Sequence, residues 1–177
     1  MATDTAQDRL AGTWNFNPVH SSASFAVKYL VATFRGRFED VDAQIADGQL
    51  TGSVRTSSIA VKDENLAAHL QTPDFFDAEN HPEITFASKE LRIDGDELTL
   101  VGDITIKGVT KPVTATGTVL GPTQHPAGHE ALGFTLETTI DRTDFGVSWN
   151  APLPKGGGLA LSNDVTLVVE LEFVRGA

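Results

Sequence analysis

The chain has 177 residues with 13 Lys and Arg against 24 Asp and Glu, a net charge of −11, and 40% hydrophobic residues, which fits one folded domain with a sizeable core. An acidic chain without a Lys/Arg cluster is expected to repel phosphate backbones and anionic membrane surfaces, which excludes nucleic-acid recognition driven by counterion release. The absence of cysteine excludes disulfides, thiolate metal ligands, iron–sulfur clusters and cysteine nucleophiles.

Asp4 and Asp8 stand in an N-terminus with no apolar run, so no secretory signal is expected. The expected location is the cytoplasm, with residues 1–11 flexible. No stretch approaches about 18 uninterrupted apolar residues, so no transmembrane segment is expected. Period-two alternation then begins with Phe25, Val27 and Tyr29, the mark of a strand with one buried face. Asp47-Gly48 is a tight hairpin signal. From Asp63 to Leu70 an acidic start and leucines four apart, Leu66 and Leu70, predict a short helix. Thr72 to Pro82 reads as a turn of helix or an ordered loop. Asp94-Gly95 predicts a second hairpin, followed by Leu98, Leu100, Gly102, Ile104 and Ile106 on one face. Val113 to Val119 places Thr114, Thr116 and Thr118 opposite Val113, Ala115, Gly117 and Val119, with β-branched residues suited to a pleated surface. Phe134, Leu136, Thr138 and Ile140 continue the pattern, as do Val165, Leu167, Val169, Leu171 and Phe173. Two mobile loops are expected, at 121–128 and 152–158. Eight to ten short, locally connected strands make a sandwich or a closed antiparallel barrel, and a barrel of about eight strands either fills with side chains or holds one small ligand.

Candidate chemistry is sparse. His125 and His129, followed by Glu130, have metal-ligand spacing only on a helix, whereas Pro126 and Gly128 favour a solvated loop. His20, His69 and His81 are scattered, and a local hydrogen bond accounts for each. His20-Ser21-Ser22 lacks the tight elbow of a serine nucleophile. Asp141 and Asp144 around Arg142 read as structural ion pairs. Lys155 precedes three glycines without a Walker pattern or a following helix, so a flexible loop is favoured over a site for a pyrophosphate head group. No cofactor and no metal site is expected. Ten Phe, two Trp and one Tyr, mostly at period-two positions, make an apolar inner face that is either packed or hollow.

An ordered set of motifs resembles the YceI-like family of lipocalin-like polyisoprenoid-binding proteins. These are Trp14-Asn-Phe-Asn-Pro-Val-His20-Ser21, Phe25-Ala-Val, Phe34-Arg-Gly-Arg-Phe38, His69-Leu-Gln-Thr-Pro-Asp-Phe-Phe-Asp77 and His81-Pro-Glu-Ile-Thr-Phe86. They continue with Gly102-Asp-Ile-Thr-Ile-Lys-Gly-Val-Thr-Lys-Pro-Val113, Gly133-Phe134 and Ile140-Asp-Arg-Thr-Asp-Phe-Gly146. The resemblance implies an all-β fold, an elongated antiparallel lipocalin-like barrel with the short helix near 63–70, in one domain over 1–177. It also implies an amphiphilic isoprenoid lipid in the pore, either a polyprenyl phosphate or a quinone tail, bound and carried or sequestered without catalysis. Family members often have His where Tyr29 stands and Arg-Asp where Leu66-Ala67 stands. Taking alternation to choose the inward face, the ligand-lining candidates are Phe25, Val27, Tyr29, Phe38, Phe86, Leu100, Ile104, Phe134, Leu136 and Trp149. Two other classes stay open: a lipid-modifying enzyme with His20 or His69 as acid/base, and a filled-barrel protein-interaction module. A homodimer is the assembly considered beside the monomer.

Overall fold

The computed structural model describes residues 9–175. In chain order the elements are β1 (Asn15–Phe16), β2 (Ser22–Tyr29), β3 (Ala32–Phe38), β4 (Val41–Ala46), β5 (Gln49–Arg55), β6 (Ile59–Ala60), α1 (Glu64–Leu70), β7 (Glu83–Asp94), β8 (Glu97–Ile106), β9 (Val109–Gln124), β10 (Glu130–Asp141) and β11 (Leu161–Arg175). They form one curled, antiparallel, lipocalin-type sheet of eleven strands in the order β4-β5-β7-β8-β9-β10-β11-β2-β3-β6, with β1 added to β11. The strands outnumber the eight or so expected partly because β1, paired on β11, and β6, at one edge, are only two residues long.

Local chemistry sets the hairpins. Asp47 and Gly48, at φ +52° and +74°, make the turn between β4 and β5, where a residue without a Cβ meets little steric cost. Between β7 and β8 the pair Asp94↔Glu97 closes on Gly95-Asp96, one residue later than the Asp94-Gly95 signal places it. Helix α1 starts where expected: the Asp63 carboxylate accepts from the Leu66 amide at 2.9 Å, capping a free N–H of the first turn. The expected mobile loop at 121–128 is a correction, because Gly121 to Gln124 continue β9 and pair with β10 through Thr123↔Ala131 and Gln124↔Glu130.

Of the N-terminal segment expected to be flexible, residues 1–8 lie outside the described residues. Arg9 and Leu10 are buried. Leu10 enters the core, and Arg9 donates from Nε and Nη2 to the Gly121 carbonyl at 3.2 and 2.5 Å, and from Nη1 to the Gly95 carbonyl. These bonds give the buried guanidinium partners, which removes most of the cost of taking it from water.

The sheet path runs from β4 to β6 without a ladder joining its ends. Closure comes instead from β1: Asn15 pairs with Val174 of β11, and the preceding Trp14 bridges to Ile45 of β4. That end is solid. Phe16 and Phe134 both lie 5.8 Å from Phe173, with Leu98, Val119 and Leu132 packed around them. At the other end the segment after β6 folds inward, and Leu66, Leu70, Phe75 and Phe76 pack with Phe25 and Phe38. Among the described residues no helix is long and apolar enough to cross a membrane.

Phe134→Ala is expected to cost about 3–5 kcal/mol in urea unfolding, because the solid end cannot collapse around the void. Phe86→Ala, whose ring borders open space instead, is expected to cost less than half as much.

Candidate ligand-binding cavity

The inner face of the sheet is not filled along its length. A cavity of about 670 Å³ runs from beneath α1 toward the solid end, with a lining that is apolar almost throughout. Its size lies within the range of small-molecule sites, roughly 300–1,000 Å³.

Register builds the walls. Phe25, Val27 and Tyr29 of β2 face inward opposite Leu167, Val165 and Leu161 of β11. Phe38 comes from β3, Phe86 from β7, Leu100 and Ile104 from β8 and Leu136 from β10, while Trp149 comes from the segment after β10; all of these border the cavity. Tyr29 sits at the rim, 40% exposed. Phe134 is the exception among the ten candidates: it shares the face of Leu136 but lies two residues further into the solid end, 1% exposed and edge-on to Phe173. Alternation assigns a face and says nothing of depth along the strand.

One glycine keeps the space open. Gly36 pairs with Phe25 across β2 and β3, and a Cβ at Gly36 would stand 2.5 Å from Phe25 Cζ. The ring therefore lies over the neighbouring backbone instead of standing into the lumen. The small side chains of Ala43 and Ala115 also border the cavity. Further lining escaped the alternation argument because it comes from outside the strands: Leu66 and Leu70 of α1, and Phe75 and Phe76 of the turns that follow. The four-residue spacing of the two leucines and the Phe-Phe pair were the available signals.

The two histidines considered as acid/base groups part company. His20 is outside the cavity, its Nδ1 2.7 Å from Glu172 Oε2 and its side chain 62% exposed. His69 borders the cavity, its Nε2 3.0 Å from Asp74 Oδ2 and its ring edge-on to Phe75 and Trp149, both 5.0 Å away. His81 Nε2 lies 4.0 Å from Asp77 Oδ2.

Arg142 corrects the ion-pair expectation. Its guanidinium is buried and donates to the carbonyls of Val147 at 2.7 Å, Trp149 at 2.8 Å and Ser162 at 2.9 Å. It thus holds the segment that carries Trp149 against the start of β11. Burial pushes this guanidinium below its usual range, and the neighbouring Asp141 carboxylate opposes the shift. Lys107 bridges two loops at the same end, donating to the carbonyls of Pro73 and Gly146.

The remaining candidates make no site here. His125 and His129 stack with centroids 4.1 Å apart in the β9–β10 turn, while Glu130 pairs with Arg175. Among the described residues no group of three His, Asp or Glu converges on a metal position. Lys155 is exposed in the turn Pro154–Gly156 and does not border the cavity.

The sequence model of the YceI-like domain matches residues 14–173. A UPF0312 protein of Staphylococcus epidermidis is 34% identical over 170 residues, covering 90% of this chain and 96% of its own. In structure, BcnA of Burkholderia cenocepacia matches with a TM-score of 0.74 at 20% identity, over 89% of this chain and 99% of its own. A polyisoprenoid binding domain from Saccharophagus degradans, implicated in plant cell wall breakdown, matches with a TM-score of 0.69 at 12% identity, over 91% of this chain and 97% of its own.

Asp141, beside the Arg142 anchor, gives a pH test. Hydrogen bonds from the Thr143 hydroxyl and then the Thr143 amide hold its carboxyl below the ordinary value of 3.8. A carboxyl depressed in the folded state stabilises above its unfolded value and loses that contribution as pH falls through the folded one. The urea midpoint of the native chain is therefore expected to exceed that of Asp141→Asn near neutrality, and the gap to close progressively below about pH 3.8.

Proposed function

This chain belongs to the YceI-like family, and on that premise we propose that it binds one amphiphilic isoprenoid lipid, a polyprenyl phosphate or the tail of a quinone, and carries it without chemical change. The observation that carries this reading is the apolar cavity of about 670 Å³ inside a sheet whose other end is solid. A structural neighbour described as a polyisoprenoid binding domain supports the same ligand class. The ten candidates enter the proposal as nine that contact the lipid chain, with Phe134 as the floor behind Leu136.

The driving force is area removed from water. Each methylene buried contributes about 0.8 kcal/mol before the costs of association, so a chain of isoprene units binds well with few polar contacts. Aromatic walls suit such a chain, because the faces of Phe25, Phe38 and Trp149 offer broad contact to branched methyl groups. Specificity then rests on cavity length and on the groups at the mouth.

The catalytic alternative reduces to His69, since His20 lies outside the cavity. Its edge-on contacts with two aromatic rings and its Asp74 partner give it a positioning role for Trp149, which is why we assign transport and not turnover.

Native mass spectrometry of freshly purified protein, followed by solvent extraction, is expected to release one isoprenoid per chain. Ala43→Phe and Ala115→Phe, which fill the lumen, are expected to lower bound lipid several-fold in chains that still fold by circular dichroism. A native chain that is bare and refuses added quinones and polyprenyl phosphates overturns the proposal. His69→Ala is expected to leave the extracted lipid chemically identical. Accumulation of a different, unconverted lipid in that variant overturns the non-catalytic assignment alone.

A further inference from the structure

The mouth of the cavity carries a feature that binding of a lipid does not itself require. Between β2 and β3 the chain turns at Leu30, φ +54°, and Val31, and both side chains point into water, 55% and 104% exposed. Leu159, 62% exposed, belongs to the same end: it precedes Ala160, whose carbonyl accepts from the Leu30 amide at 2.9 Å, and it bridges to Pro152 across a second turn. Three large apolar side chains thus stand at the tips of two adjoining turns, where water is their present neighbour. Isolated exposed apolar residues are ordinary, whereas a group of them beside an apolar opening marks a contact surface.

Two observations identify what the group contacts. The first is continuity. Tyr29 and Ala32, which flank Leu30 and Val31 in the chain, border the cavity, so the tip follows directly on the cavity wall. The second is charge. The chain carries −11 overall, yet from Lys28 to Phe38 it holds Lys28, Arg35 and Arg37 and no carboxylate. Arg37 pairs with Glu39, while Lys28 and Arg35 form no ion pair among the described residues. In the β2–β3 register Lys28 lies opposite Thr33 and Arg35 opposite Ala26, which makes the two cations diagonal neighbours on the outer face of the hairpin. Lys155, at the tip of the second turn, is exposed as well. Apolar tips with cations set back from them are the arrangement that seats in a lipid interface, the apolar groups among acyl chains and the cations at anionic head groups.

We propose that the β2–β3 tip, with Leu30, Val31 and Leu159, docks on the surface of a bilayer containing anionic lipid and aligns the cavity mouth with it for lipid exchange. The exchange role rests on the carrier reading above; the docking does not. Contact is brief, because three side chains bury little area and the acidic body is repelled by the same surface. A transient encounter suits a carrier, which must leave after loading.

The test uses the full chain and vesicles free of isoprenoid, so that docking is read apart from cargo. Vesicles of phosphatidylcholine with about 30 mol % phosphatidylglycerol are expected to sediment a measurable fraction of the native chain at low salt, and pure phosphatidylcholine clearly less. Leu30→Asp with Val31→Asp is expected to weaken partition about tenfold or more. Lys28→Glu with Arg35→Glu is expected to remove the preference for the anionic vesicles. All four positions are solvent-facing, so unchanged circular dichroism and unchanged lipid content on extraction mark the variants as folded and loaded. Absence of native binding to anionic vesicles, or equal binding by the Leu30→Asp, Val31→Asp variant, overturns the proposal and leaves the carrier reading intact. A sedimentation-velocity dimer that the same variant abolishes also overturns it, assigning the tip to a second copy of the chain. Docking by a chain that yields no isoprenoid separates the two in the other direction.

Discussion

A curled antiparallel sheet has a concave face whose alternate side chains must either meet across the middle or leave room between them. Here that constraint is met differently at the two ends. Around Phe173 the rings of Phe16 and Phe134 and the leucines beside them meet and exclude space, and Trp14 bridges to Ile45 to join the first strand segment to β4. Toward α1 the facing residues fall short of one another. Gly36 lets Phe25 lie against the wall, and Ala43 and Ala115 present only methyl groups. The solid end provides stability that the hollow end does not, and the hollow end is usable because its walls are fixed from the solid end outward.

The open end is then restrained by polar contacts. Arg142 and Lys107 place cationic donors on backbone carbonyls of the loops around the mouth, holding the Trp149 segment and the turns after α1 in position. Each carbonyl so engaged is one that a strand ladder would otherwise have satisfied. This division explains why Arg142 is buried without a carboxylate partner. A carboxylate would have neutralised the charge at one point, whereas a fork of N–H donors reaches several strands of loop at once.

Much of this was legible from residue order because the strand signal is local. Phe25, Val27 and Tyr29 face inward as their period implies, and Asp63 caps a helix where an acidic start preceded Leu66 and Leu70. What escaped was whatever depends on contacts distant in sequence. The depth of Phe134 is set by Phe173, almost forty residues away on another strand. The turns carrying Phe75 and Phe76 have no period, so alternation could not place them inside the barrel, and only the apolar Phe-Phe pair hinted at it. In β7 the irregularity between Ser88 and Glu90 shifts the inward set from Phe86 to Leu91, a change of parity that alternation alone reads as a break in the strand. The family resemblance supplied the barrel itself, since alternation left sandwich and barrel open.

An apolar cavity of this size has a consequence for stability as well as for binding. Wall atoms facing empty space forfeit dispersion contacts that a packed core would make, so the empty chain is less stable than a filled barrel of the same length. A lipid that enters restores those contacts and binds only the folded state, which raises stability by mass action in proportion to occupancy. The chain that exposes Leu30 and Val31 at its mouth also carries a net charge of −11, a self-repulsion that opposes the attraction of apolar tips for one another. Under the docking proposal, an acidic body with a locally basic, apolar lip reconciles two opposing demands: like-charge repulsion between copies and approach to an anionic lipid surface.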